Sequence, residues 1–157
     1  TLKLYRYDKP AANKAVKIEI GKNKFSTKTD KNGVIKFKIP NSVTPGKYNV
    51  KISYLDAKAS FKLTVNQILT LKTATVKKSA KKLILQATLK KGKTPLKNKQ
   101  ITFKFNGKTY KAKTNSKGIA KVTINKSVLS KLKAGKKVTY QATYIKDTVK
   151  KTSKINK

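Results

Sequence analysis

The fold is decided by a stretch that occurs twice, as VKIEIGKNKFSTKTDKNGVIKFKI at residues 16–39 and as ITFKFNGKTYKAKTNSKGIAKVTI at residues 101–124. Gly33 matches Gly118 and Phe25 matches Tyr110, so the two versions are offset by a constant 85 residues. Further along, residues 48–54 match residues 138–144 at an offset of 90. A fixed offset over this length is typical of an internal repeat, so the 157 residues contain one structural unit twice.

Apolar and polar residues alternate with a period of two within each version. Val16, Ile18 and Ile20 point to one face of an extended chain, while Lys17 and Glu19 point to the other. This alternation predicts strands with one buried and one solvated face, and the apolar set is rich in the β-branched and aromatic residues that strands prefer. The same pattern predicts further buried positions at Tyr48, Val50, Ile52, Tyr54, Phe61, Leu63, Val65, Ile101, Phe103 and Phe105.

Short polar segments between these strands carry turn residues. An Asx residue that begins such a segment can bond the turn backbone through its side chain, and a glycine that ends it permits a positive φ. An Asn-Gly pair between two strands is a strong signal for a two-residue hairpin. The predicted turn residues are Asp30, Gly33, Asn106, Gly107, Asn115 and Gly118.

These patterns together predict the fold class. Seven or so short strands in each copy, with no long helical period, indicate an all-β chain of two tandem immunoglobulin-like β-sandwiches. We assign residues 1–66 to the first domain and residues 67–157 to the second. The second copy carries a five-residue insertion before its penultimate strand, and we predict one short helical turn there, at residues 127–132.

The first domain lacks its N-terminal strand. Residues Leu69–Val76 supply that strand in the second copy, whereas Leu2 and Leu4 already correspond to the second strand of the repeat. Two explanations stay open: the strand was cut away with the rest of a longer protein, or another chain supplies it. The first residue is Thr1, and no apolar run is long enough for a signal peptide or a membrane span. We therefore expect an internal segment of a larger protein.

The residue types that are absent exclude much chemistry. The chain has no Cys and no His, so it cannot build a thiolate nucleophile, a disulfide, a zinc–thiolate site or a histidine base. Five carboxylates spread along the chain argue against a calcium cage or a paired-acid glycosidase site. We therefore expect no enzyme, no catalytic residue, no metal site and no cofactor.

Single acidic and aromatic residues receive structural interpretations. Asp56 and Asp147 each follow a strand end that contains a tyrosine, and we expect them to cap turns. Glu19 has an outward phase, which argues against the buried acid that a Lys–Asn isopeptide bond requires. The tyrosines with inward phase, expected in the core with the hydroxyl at the rim, are Tyr48, Tyr54, Tyr140 and Tyr144.

The stretch from Thr94 to Tyr110, followed by Thr114 to Ala120, resembles the bacterial Ig-like repeat family. It is most similar to the lysine- and asparagine-rich repeats of adhesin-like proteins of methanogenic archaea, and more distantly to the repeats of invasin and intimin. The resemblance implies a fragment of an extracellular cell-surface protein whose Ig-like repeats act as stalk, spacer or cell-adhesion modules. The implied partners are other Ig-like repeats of the same chain and a ligand on a host or neighbouring cell.

The net charge of +36 allows two interpretations. The first is a binding module for an anionic polymer, such as an acidic glycan, a cell-wall polymer or a nucleic acid. The second is a solvated strand surface whose lysines prevent aggregation and whose composition reflects A/T-rich codons. Arg6 is the only arginine, which argues against sequence-specific nucleic-acid recognition. The candidate binding residues are Tyr5, Tyr7, Lys104, Lys111 and Lys113.

Overall fold

The chain forms two compact units, each built almost entirely from β-strands. The computed structural model describes residues 2–6 and 9–157. The units are Thr1–Asn66 and Gln67–Lys157, called unit 1 and unit 2 below. Seventeen strands and one short helix account for the regular structure of the described residues, which confirms the all-β prediction.

Unit 1 is organised around a four-stranded antiparallel sheet with the order β5-β4-β7-β8. Two shorter pairs, β1 with β6 and β2 with β3, are also antiparallel. The inner face of the large sheet holds the apolar residues of the predicted alternation, led by Val16, Ile18 and Ile20. The strands are β1 (Leu2–Lys3), β2 (Tyr5–Arg6), β3 (Lys9–Pro10), β4 (Ala15–Ile20), β5 (Asn23–Lys28), β6 (Val34–Ile35), β7 (Gly46–Tyr54) and β8 (Ala57–Val65).

Unit 2 has two sheets that face each other across a larger core. One has the order β10-β17-β16-β13-β14, and the other has the order β12-β11-β15 with β9 also paired to β11. Phe103, Phe105 and Tyr140 are fully buried between them. The strands are β9 (Leu69–Leu71), β10 (Val76–Lys77), β11 (Lys82–Lys91), β12 (Thr94–Pro95), β13 (Gln100–Phe105), β14 (Lys108–Lys113), β15 (Ile119–Asn125), β16 (Lys137–Tyr144) and β17 (Asp147–Asn156).

The insertion in the second copy forms the predicted helical turn, but the turn begins one residue earlier and ends three residues earlier than predicted. A single helical turn, α1 (Lys126–Leu129), follows β15. Leu129 and Leu132 turn inward and are buried in the core of unit 2. The tyrosines with inward phase also contact the cores: Tyr140 is fully buried, and Tyr48, Tyr54 and Tyr144 are partly buried.

The prediction of one continuous first strand over Leu69–Val76 is wrong. The segment divides into β9, which pairs antiparallel with β11, and β10, which pairs parallel with β17 in the other sheet. A single straight strand cannot pair with two facing sheets, so the chain must bend between them. The Ala74 N–H donates to the Tyr140 hydroxyl at 2.9 Å within this bend, which satisfies a backbone donor that is paired with neither sheet.

The prediction that Phe61 is buried is also wrong. Phe61 is 44% exposed, and Leu63 and Val65 on the same face of β8 are only partly buried. At the position of Val65, unit 2 has Ile155, which is 3% exposed because β10 pairs there through Val76. Among residues 2–6 and 9–66 no strand corresponds to β9 or β10, so the apolar face of β8 stays open.

Candidate functional site

The most regular feature of the structure is a set of hydrogen bonds built identically in both units. In unit 2 the buried Thr114 hydroxyl donates to the Leu96 carbonyl at 2.6 Å and accepts from the Lys99 N–H at 2.8 Å. In unit 1 the buried Thr29 hydroxyl makes the same two bonds, to Ala11 and from Lys14, at 2.6 and 2.9 Å. These threonines tie two distant loop segments together in each unit. Sequence reasoning missed them, although the matched Thr-Asx pairs of the repeat contained the signal.

The residue after each threonine organises the following turn. Asp30 Oδ1 accepts from the N–H groups of Asn32 and Val34, both at 2.9 Å. Asn115 Oδ1 accepts from Lys117 and Ile119 in the same way, both at 3.0 Å. We call the Thr-Asx-Gly set (Thr29, Asp30 and Gly33 in unit 1; Thr114, Asn115 and Gly118 in unit 2) the turn lock.

The aspartate and the asparagine differ in charge but make the same bonds. The pKa of Asp30 is lowered, first by the hydrogen bond from the Val34 N–H and further by the bond from Asn32 and by nearby Lys36 and Lys31. Desolvation opposes this lowering. Because neutral Asn115 forms the equivalent bonds, the turn requires an oxygen acceptor and not a negative charge.

The glycine of each turn lock lies against the backbone of a distant segment of its unit. Gly118 has φ +73°, and a Cβ built there would approach the backbone oxygen of Leu89 to 2.5 Å. Gly33 has φ +70° and the same 2.5 Å approach, to the oxygen of Leu4. Glycine is therefore required twice over, by the left-handed conformation and by the lack of space for a side chain. The hairpin pair Asn106-Gly107 has positive φ at both residues (44° and 78°), as a tight two-residue turn between β13 and β14 demands.

Asp147 has a different role from the one predicted. It is 5% exposed, and its carboxylate accepts from the backbone N–H groups of Ile68 and Leu69, both at 2.8 Å, and from the Gln67 side chain at 3.0 Å. It therefore holds the start of β9 and does not cap its own turn. Asp56 is exposed in the turn between β7 and β8. We call Asp147 and Tyr140, which bonds Ala74 further along the same segment, the first-strand clamp.

The three candidate lysines lie on one face of unit 2, whereas the candidate Tyr5 lies in unit 1. Lys104, Lys111 and Lys113 are exposed on the outer face of the β13–β14 pair. Across β13, β14, β16 and β17 the outward positions hold only lysine and uncharged polar residues. Tyr5 is 56% exposed on β2 in unit 1, and Tyr7 lies outside the described residues.

Glu19 is partly exposed on β4 and has Lys24 as its neighbour, with 4.0 Å between the ammonium and a carboxylate oxygen. Over residues 2–6 and 9–157 no three metal-ligating side chains come together. Over the same residues, no helix has the length and apolar character to cross a membrane.

Comparison with known proteins gives distant structural neighbours. No protein-family model and no curated protein matches the chain. A Ca²⁺-stabilised ice-binding adhesin of an Antarctic bacterium aligns with 94% of this chain at 17% identity and a TM-score of 0.39. A 1.5-MDa bacterial ice-binding adhesin aligns with 92% at 14% identity (TM-score 0.38), and the D0-D1 domain of intimin aligns with 99% at 18% identity (TM-score 0.37). The chain spans 41% and 54% of the two adhesin structures and 87% of the intimin structure. These values are too low to assign a family.

Proposed function

We propose that this chain is a non-catalytic segment of an extracellular, adhesin-like surface protein, in which the Ig-like units serve as stalk, spacer or adhesion modules. The observation that carries the proposal is the turn lock, which is repeated bond for bond in both units. If the units serve as a stalk, natural selection acts mainly on the residues that each unit needs in order to fold. The turn lock and the alternating core are such residues.

The two units differ in charge, in contrast, at some surface positions. Outward Glu19 of unit 1 corresponds to Lys104 of unit 2, and Asp56 in the turn after β7 corresponds to Lys146. A binding site common to both units would place similar side chains at matching surface positions. Differences in surface charge between two units of the same fold are consistent with modules that act as spacers between other parts of a protein.

The positions of the lysines at sheet edges are also consistent with a stalk. β5 and β14 each form one edge of the larger sheet of their unit, and they carry Lys24, Lys28, Lys111 and Lys113. Charged side chains on an edge strand oppose pairing with another sheet edge. Neighbouring copies at a crowded surface can therefore stay separate.

Surface labelling of intact cells tests this proposal. A membrane-impermeant, amine-reactive biotin ester should label the protein on intact producing cells, because most of its lysines are exposed. A lysine-rich cytoplasmic protein of the same cells is the control and should stay unlabelled until lysis. Labelling of this protein only after lysis contradicts the proposal.

A second candidate function is binding of an anionic polymer, favoured by the acid-free outer face of the β13–β14 and β16–β17 strands in unit 2. Salt titrations against DNA, polyphosphate and an acidic glycan separate the two functions. A stalk should bind all three alike and lose about 10³–10⁵-fold in affinity between roughly 50 and 200 mM salt, as counterion release predicts. A dedicated binding face should prefer one polymer at high salt, and Lys104→Gln, Lys111→Gln and Lys113→Gln together should abolish that preference.

A further inference from the structure

One asparagine of unit 2 lies in the sequence pattern that protein N-glycosylation requires. Asn125, Lys126 and Ser127 form an Asn-X-Ser tripeptide in which the middle residue is not proline. Of the asparagines that have two residues after them in this sequence, no other has Ser or Thr at the third position. The tripeptide lies in the segment that contains the insertion of unit 2, and unit 1 has Pro40 at the position of Asn125.

The structure leaves the side chain of Asn125 accessible to a substituent. Asn125 is the last residue of β15, it is exposed, and its backbone is extended, with φ −79° and ψ 162°. It directly precedes α1, a position where an asparagine side chain commonly accepts a hydrogen bond from the helix backbone, yet the Asn125 side chain makes no such bond. Attaching a group to its amide therefore removes no capping hydrogen bond.

The local structure also allows an enzyme to reach the tripeptide before folding is complete. α1 has only four residues, and a helix of this length is not stable by itself. It is held by Leu129, which is fully buried in the core of unit 2. Until Leu129 is packed, residues 125–127 can adopt the extended conformation in which the Asn125 amide is accessible from all sides.

A glycan on Asn125 would cover the end of a strand edge. β15 pairs with β11, and within residues 2–6 and 9–157 no strand pairs with its other edge. Only one of the seven residues of β15 is a lysine, whereas the edge strand β14 has three lysines in six residues. A bulky hydrophilic group at Asn125 would oppose pairing of this edge with another chain, as the lysines do on β14. Pro40 acts in the same sense at the matching position of unit 1, because proline has no N–H donor.

We propose that Asn125 is an N-glycosylation site. Its Nδ2 atom forms a bond to the anomeric carbon of a glycan, and the bond between that carbon and the phosphate of a lipid-phosphate-linked donor breaks. The lipid phosphate leaves with the bonding electrons, and the amide proton passes to a base of the transferase. This inference rests on the proposed extracellular function, because the modification belongs to exported proteins.

Mass spectrometry of the protein isolated from its producing cells tests this site. Trypsin releases residues 122–126, or 122–131 where the glycan hinders the first cleavage, because Lys121, Lys126 and Lys131 bound these segments. We expect this peptide to carry the added mass of sugars, with fragment ions that place them on Asn125. The peptide that contains Asn49, which is exposed on β7 but followed by Val and Lys, should have its unmodified mass.

Variants of the tripeptide separate the modification from the fold. Lys126→Pro keeps Asn125 and Ser127, and proline is well accepted at the first helical position after an extended residue, so unit 2 should fold while the added mass is lost. Ser127→Ala should lose the added mass, whereas Ser127→Thr keeps a hydroxyl and should retain it. Asn49→Gln is the matched control and should leave the modification of Asn125 unchanged.

The outcomes distinguish this site from the extracellular location on which it rests. A separate portion of the same cells is labelled intact with the membrane-impermeant biotin ester. Protein that is labelled on intact cells but has an unmodified Asn125 peptide overturns the site and leaves the extracellular proposal standing. Labelling only after lysis contradicts the extracellular location and the site together. Added mass that survives both Lys126→Pro and Ser127→Ala also overturns the site, because the sugars are then attached elsewhere.

Discussion

Gly118→Ala is expected to destabilise unit 2 by about 3 kcal/mol, because it combines a strained backbone conformation with a steric clash. The residue has φ +73°, and its Cβ would approach the Leu89 carbonyl oxygen to 2.5 Å and Pro95 to 3.1 Å. The backbone cannot easily yield, since the Gly118 carbonyl accepts from the Leu89 N–H at 2.8 Å. For a unit of this size the melting temperature should fall by roughly 15 °C.

Gly107→Ala is the matched control for this substitution. Gly107 also has a positive φ, of 78°, but no atom lies within 4 Å of the position its Cβ would occupy. It should cost only the conformational strain, about 1 kcal/mol. Thermal and denaturant unfolding followed by circular dichroism measure both variants. Equal losses would mean that the contact with Leu89 contributes nothing, contrary to the geometry.

These two glycines show which structural features a local sequence pattern predicts and which it does not. The Asx-to-glycine spacing predicted a turn at Gly118, and the Asn-Gly pair predicted a hairpin at Gly107, because turn chemistry depends on neighbouring residues. The close approach of Gly118 to Leu89 depends on how β15 registers against β11, where Thr88 pairs with Ile119. The order and register of strands distant in the chain leave no local signal in a single sequence.

The predictions for Phe61 and Asp147 were wrong for a related reason, because both depend on contacts between residues distant in the sequence. Alternation gave the correct face for Phe61, but burial also needs a strand to cover that face, and unit 1 has none among its described residues. Asp147 was assigned to its nearest turn, whereas its partners Ile68 and Leu69 precede it by 79 and 78 residues.

Asp147→Ala is expected to detach the start of β9 and to lower the free energy of unfolding of unit 2 by about 3 kcal/mol. The substitution leaves the N–H groups of Ile68 and Leu69 without the oxygen that accepts both of them at 2.8 Å. Leu69 is fully buried, so water cannot replace the carboxylate without opening the strand. Hydrogen exchange should show the amides of Ile68 and Leu69 losing protection before the amides of β16 and β17.

Two further variants separate the hydrogen bonds from the charge. Asp147→Asn keeps an oxygen for the two backbone donors, and the Gln67 amide can turn to accept from the new NH₂ group, so the loss should be only about 1 kcal/mol. Asp56→Ala removes an exposed carboxylate from the comparable turn of unit 1 and should change stability by less than about 0.5 kcal/mol. A loss of stability that is largest for Asp147→Ala, smaller for Asp147→Asn and near zero for Asp56→Ala identifies the hydrogen bonds accepted by Asp147 as the stabilising interaction.

The opposite outcome is equally clear. If Asp147→Ala costs no more stability than Asp56→Ala, or if the Leu69 amide keeps its protection from exchange, the first segment of unit 2 is held by its apolar contacts alone.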